Sequence, residues 1–172
     1  MTDTILASDT MIDRVLAYTL PAAYAVLPPA MASREASALL LAIGLQESRF
    51  VHRRQITGPA RGWWQFERGG IIGVLTHPST VGIIGEALTA LGYPPPPRSR
   101  RTSVGLGLVL EHNDTVAAVF ARLLLWTLPD RLPDADQGDE AWQQYVRAWR
   151  PGKPHPAVWA AHYAEAWARV AP

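Results

Sequence analysis

The sequence predicts an all-α domain, or a predominantly α one with a minimal β element. Three observations carry this reading. Apolar residues recur at helical spacing through most of the 172 residues. No stretch alternates apolar and polar residues as a half-buried strand does. Proline, at 15 residues, falls mainly between the periodic segments rather than inside them.

Taken in order, Asp9 is placed to cap a first helix over Thr10 to Leu27, bent at Pro21. Ser33 caps a second, with Glu35 in its first turn, where the helix dipole favours an acid. This helix is expected to reach Phe50, and its run Ala38 to Ile43 is apolar on nearly every side, as in the middle of a bundle. The polar, Gly-containing stretch Val51 to Gly62 is the place for any irregular or β element. After Trp63, Trp64, Gln65 and Phe66, a Gly-rich helical stretch runs to Leu75, and Pro78 begins another helix ending near Leu91 and Gly92. Pro94 to Pro97, followed by Arg98, Arg100 and Arg101, reads as a stiff exposed loop, its arginines solvated or set against an anion. A short helix is expected over Val104 to Leu110. A longer one follows from Asp114 to Thr127, opened by Asn113 or Asp114 and stopped by Pro129. Asp139 caps the next, to about Arg150. Pro156 fits the first turn of the last, with Val158, Trp159, His162, Tyr163, Ala166, Trp167 and Val170 at helical spacing. The expectation is six to eight helices in one domain over residues 1–172.

Composition narrows the function. With 48% apolar and 18% charged residues, the chain is neither disordered nor a coiled coil. A net charge of +1 argues against an electrostatically driven nucleic-acid binder. The absence of cysteine excludes disulfides and thiolate metal sites, and the five histidines (52, 77, 112, 155 and 162) show no metal-ligand pairing, so neither metal nor other cofactor is expected. Ser48 lacks a nucleophile-elbow sequence. Val15 to Ser33 is free of charge, but Pro21, Pro28 and Pro29 interrupt it, and Asp3, Asp9 and Asp13 precede it where a secretory signal needs a basic start. A buried helix and a turn are expected there, without stable membrane insertion, in a monomer. Tryptophan is the outlier: seven, against three Phe. That many indoles fill a core or stack on a flat ligand such as a sugar ring. Trp126, Trp142, Trp159 and Trp167 lie at helical positions and read as core.

Glu47 is the most informative residue. At 100° per residue, Ala36, Leu40, Ile43, Glu47 and Phe50 fall within an arc of roughly 80°. A carboxylate inside an apolar stripe loses solvent, which raises its pKa and keeps it protonated near neutrality, as a general acid must be. The blander alternative is that the stripe simply reaches the surface at Glu47.

The segment Leu45-Gln46-Glu47-Ser48-Arg49-Phe50, followed by Gly58-Pro59-Ala60-Arg61-Gly62-Trp63-Trp64-Gln65-Phe66, resembles the lytic transglycosylases of the lysozyme-like superfamily. In that family a helix ends in a Glu-Ser pair whose Glu is catalytic, and a Gly-containing loop leads to a Gln facing the cleft. The resemblance implies Glu47 as the catalytic acid, with Ser48, Gly62 and Gln65 at the substrate. Trp63 and Trp64 stand where the family usually has smaller apolar residues; one is expected to pack in the core and the other to stack on a saccharide. The family's later Tyr-Asn-x-Gly segment looks divergent here as Trp149-Arg150-Pro151-Gly152, and Tyr145, one turn earlier, is placed to supply the missing hydroxyl.

The resemblance spans roughly Arg34 to Trp167. It implies a lysozyme-like helical domain with a substrate cleft, cutting peptidoglycan between N-acetylmuramic acid and N-acetylglucosamine and leaving 1,6-anhydro ends. It implies a phage endolysin or virion-associated lysin, made in the host cytoplasm without a clear signal peptide and acting on the periplasmic wall. A second carboxylate would permit hydrolysis instead, as in a muramidase, and Glu67, Glu111 and Asp114 are the candidates. Arg150 and Lys153 are candidates for meeting substrate carboxylates, or are a solvated turn. A protein that retains the fold and only binds the wall, or serves in a phage particle, is the remaining alternative.

Overall fold

The computed structural model describes residues 11–94 and 102–170, and among these it is all-α. The expected Asp9 cap, the prolines from Pro95 to Pro97 and the arginines Arg98, Arg100 and Arg101 lie outside the described residues. Helix α1 covers residues 11–24 and contains a π-helical turn, Val15–Thr19, before its last turn, Leu20–Tyr24. The proline ring at Pro21 crowds the carbonyl four residues back, and the wider π turn relieves that clash. Helix α2 is Arg34–Glu47, α3 Arg68–Thr76, α4 Val81–Ala90, α5 Thr102–His112, α6 Asp114–Trp126, α7 Gly138–Trp149 and α8 Trp159–Arg169. One-turn 3-10 helices lie at Pro29–Met31 and Pro156–Val158.

Two caps stand where the sequence puts them. Ser33 Oγ accepts from the Ala36 N–H at 3.1 Å, and the Asn113 side chain accepts from the Val116 N–H at 3.1 Å. Two others differ. Asp139 is not a cap but lies in the first turn of α7, beside the positive end of its dipole. Pro78 lies in a turn over residues 78–80, and the next helix, α4, starts only at Val81. Pro156 opens the one-turn 3-10 helix ahead of α8 rather than α8 itself.

The core is built on α6, buried from Val116 to Leu125 and packed against α1, α2, α3, α4, α5 and α7. Helix α2 lies between α6 and α8 and is buried from Ala38 to Leu45, which explains why its apolar residues cover nearly every side. It stops at Glu47, short of the expected Phe50. Arg49 and Phe50 take left-handed φ of 53° and 55°, and the chain doubles back so that the Phe50 ring covers Gly44. A Cβ at Gly44 would overlap that ring.

The chain from 51 to 66 forms no strand. It carries isolated bridges, Arg54 with Arg61 and Arg61 with Phe66, which is the whole of the β element among the described residues. Its pivot is Gly62. There φ is +73°, and an added Cβ would stand 2.6 Å from the Leu110 carbonyl oxygen. Gly62→Ala is therefore expected to cost about 3 kcal/mol in a urea titration, from a left-handed backbone and a backbone clash together. A loss below about 0.5 kcal/mol, the range of an unconstrained surface site, would show that this approach is not rigid.

No single helix among the described residues is long and apolar enough to cross a membrane; α3 and α4 pass that test only jointly, across a 102° bend.

Candidate functional site

Glu47 closes α2 at the edge of an open groove of about 720 Å³. Ser48 and Gln65 also line it, with Arg49, His52 and Arg54 on the loop side. The opposite wall is the segment 154–158 together with His162 of α8. Glu47 is the one carboxylate among the lining residues, and three of the five histidines lie there.

Burial pushes the Glu47 carboxyl up to about 7, and the negative charge of Glu67 adds to the rise. Opposing them is the Tyr145 hydroxyl, which donates to Glu47 Oε1 at 2.7 Å. Burial and the neighbouring carboxylate push the Tyr145 phenol up in turn, so it keeps its proton and remains a donor. Tyr145→Phe should move the Glu47 pKa above 7, because the bond it removes favours the ionised form. A carbon-detected NMR titration of the side-chain carboxyl reads this directly; a fall in pKa would contradict the geometry.

An aromatic ladder holds Tyr145 in place. Its ring stacks on Trp159 at 5.3 Å and 11°, Trp159 stacks on Tyr163 at 5.9 Å, and Trp142 leans on both Tyr145 and Trp159. The ladder pins α7 to α8 and accounts for much of the tryptophan content. Trp167 ends it at an edge contact with Tyr163, while Trp126 departs from the expected core position and is 37% exposed.

Trp63 and Trp64 correct the expectation for the cleft. They are 2% and 0% exposed, so neither has a face for a saccharide. Trp64 donates its indole N–H to the Leu40 carbonyl at 2.8 Å, and Trp63 lies under the Arg53 guanidinium at 4.0 Å. Gly62 is buried against α5 and does not line the groove. Trp149 also turns inward, donating to the Trp64 carbonyl at 2.8 Å and leaning on Phe66. Arg150 is exposed, in a left-handed C-cap of α7, and is not a groove residue, nor is the exposed Lys153. The cations that do border the groove are Arg49 and Arg54.

Ser48 works on the backbone. Its hydroxyl donates to the Trp63 carbonyl at 2.7 Å and accepts from the Phe50 N–H at 3.1 Å, tying the end of α2 to the Gln65 loop. Gln65, at φ 46°, donates its side-chain amide to the carbonyls of Gly62 and His52 at 2.8 and 3.2 Å. This leaves the Gln65 carbonyl oxygen as the acceptor that the side chain can offer to a ligand.

The acids Glu111 and Asp114 are engaged elsewhere. Asp114 takes a two-pronged bond from Arg53 at 3.0 and 2.7 Å, and Glu111 pairs with Arg54 and Arg61, both at 3.1 Å. These pairs clamp the 51–66 loop to the junction of α5 and α6. Glu67 is exposed and within electrostatic reach of Glu47.

Sequence reasoning missed the second wall. Gln46 donates to the His155 carbonyl at 3.1 Å and pairs with His162 Nδ1 at 3.0 Å, bridging α2 to α8 and to the segment before it. Burial and the positive charge of Arg49 hold the His162 pKa below its ordinary value. The only sequence signal was the place of His162 in the helical pattern. Among the described residues, no three His, Asp or Glu side chains gather as a metal site would require. Comparison with protein-family models, with curated proteins and with solved structures returns no match.

Proposed function

We propose that the protein is a peptidoglycan-cleaving lytic transglycosylase with Glu47 as general acid and then base. The observation that carries this reading is a carboxyl raised to about 7 at the edge of an open groove, within hydrogen-bond distance of a permanently protonated tyrosine. Near neutrality such a group exists in both forms, as an acid–base catalyst must. Glu47 as acid gives its proton to the oxygen between N-acetylmuramic acid and N-acetylglucosamine, and the bond to the muramoyl C1 breaks. Glu47 as carboxylate then takes the proton of the muramoyl 6-hydroxyl, whose oxygen bonds C1 and closes the 1,6-anhydro ring. The acid is regenerated and no water is consumed.

Tyr145 holds the carboxyl in place through both steps. The Gln65 carbonyl accepts from the substrate's N-acetyl N–H. Arg49 and Arg54 favour a glycan that carries lactyl or peptide carboxylates. In this reading the protein works as a monomeric phage lysin, free or carried in the particle, with the glycan strand as its partner.

The test is mass spectrometry of fragments released from purified peptidoglycan, with Glu47→Gln alongside. Anhydro-ended fragments that vanish in the variant are expected. Ordinary reducing ends would replace the reading with hydrolysis and make Glu67 the first second acid to examine. No fragments from folded wild-type protein would leave a wall-binding or structural role.

A further inference from the structure

At the other end of α2, about 18 Å from Glu47 by helical rise, lies a second cavity of about 600 Å³. Its most unusual lining residue is Arg122, on the central helix α6 and only 2% exposed. Nε donates to the Met31 carbonyl at 2.8 Å, and the guanidinium lies 5.0 Å from the ring centre of Trp126. It has no ion pair with an acid among the described residues, and burial lowers its pKa. A buried cation without an anion is costly, so the remaining N–H groups of this fork favour an oxyanion entering the cavity.

Glu35 borders the same cavity and is likewise without an ion pair among the described residues, whereas the neighbouring Asp134 is paired with Arg131 at 2.8 Å. The cavity therefore carries one charge of each sign that has no ion pair among the described residues. The third acid of the lining, Asp130, is paired with Arg147 at 2.6 Å, and the apolar part of the lining includes Leu125, Leu132 and the 37% exposed Trp126.

We propose that this cavity binds a small zwitterion of the α-amino-acid type, with its carboxylate on Arg122, its ammonium at Glu35 and an apolar side chain against Trp126. A multiply charged anion is disfavoured, because the unpaired Glu35 repels it. The site is independent of the groove at Glu47 and of the reaction proposed there.

The probe is L-phenylalanine, followed at the Trp126 indole signal in nitrogen–proton NMR spectra of the full chain, the signal assigned with Trp126→Phe. A saturable shift is expected. Phenylalaninamide, which lacks the carboxylate, and N-acetylphenylalanine, which lacks the ammonium, should each bind about tenfold more weakly. In Glu35→Gln, a surface change that leaves the core intact, phenylalanine should weaken to the level of its N-acetyl form. Arg122→Lys, which keeps the charge and loses the fork, should weaken phenylalanine while leaving the amide unchanged. No saturable shift with phenylalanine at tens of millimolar overturns the proposal. Equal binding of all three compounds, or tighter binding of inorganic phosphate, overturns it as well.

Discussion

Glu47→Gln is expected to lower peptidoglycan cleavage by about a thousandfold or more, the range for removing a general acid. The amide keeps the shape and can still accept from Tyr145, so the loss belongs to the proton and not to the fold. Stability should move the opposite way, and the sign follows from the raised pKa. Between the ordinary carboxyl value of 4.5 and about 7, the folded protein keeps a proton that the unfolded chain has released. Wild-type stability therefore falls as pH rises through this window, by about 3 kcal/mol in all, and levels off above it. The variant has no such proton to lose, and its stability does not carry this dependence. Measured by urea denaturation near neutral and acid pH, the gap between variant and wild type should open in the variant's favour as pH rises. A gap that is constant with pH would contradict a buried, protonatable Glu47, whatever the activity.

Trp64→Ala is expected to be the most damaging single change to the fold, at about 3–5 kcal/mol. The indole is fully buried, meets the Phe50 ring edge-on at 6.1 Å and donates to the Leu40 carbonyl. Its own carbonyl accepts from Trp149. Removing the ring leaves a large cavity between α2 and the Gln65 loop. Trp64→Phe, which fills most of that space and loses only the hydrogen bond, should recover more than half of the loss. If both variants unfolded at the same denaturant concentration, the hydrogen bond would outweigh the packing.

The helices were legible because each long element repeats its apolar residues at the helical period, and Ser33 and Asn113 have side chains that can do little at those positions except cap. Their ends were less legible. Nothing local says that Phe50 folds back over Gly44, since a left-handed phenylalanine contradicts its own preference and is held by tertiary packing. Glu47 stood out because a carboxylate inside an apolar stripe is a contradiction visible in one dimension. Trp63 and Trp64 misled because adjacent residues in an irregular loop follow no periodicity that assigns them a face. The arginine clamps join residues 57 and 61 positions apart, and the bridge from Gln46 spans more than 100 positions, so pairing of that range left no trace in spacing.

The loop beneath the groove carries four non-glycine residues in the left-handed region: Arg49, Phe50, Thr57 and Gln65. Each such residue stores on the order of 1 kcal/mol of conformational tension. Much of what restrains that tension is ionic and half in solvent, with Arg53 and Arg54 39% and 59% exposed. Salt weakens such pairs while leaving the α2–α6 interior untouched. Rising ionic strength should therefore act as a selective solvent for this one segment. Amide exchange and proteolytic nicking at 51–61 would quicken while the melting temperature of the whole stays nearly level, so that the loop behaves as a foldon of its own, a spring with an electrostatic latch.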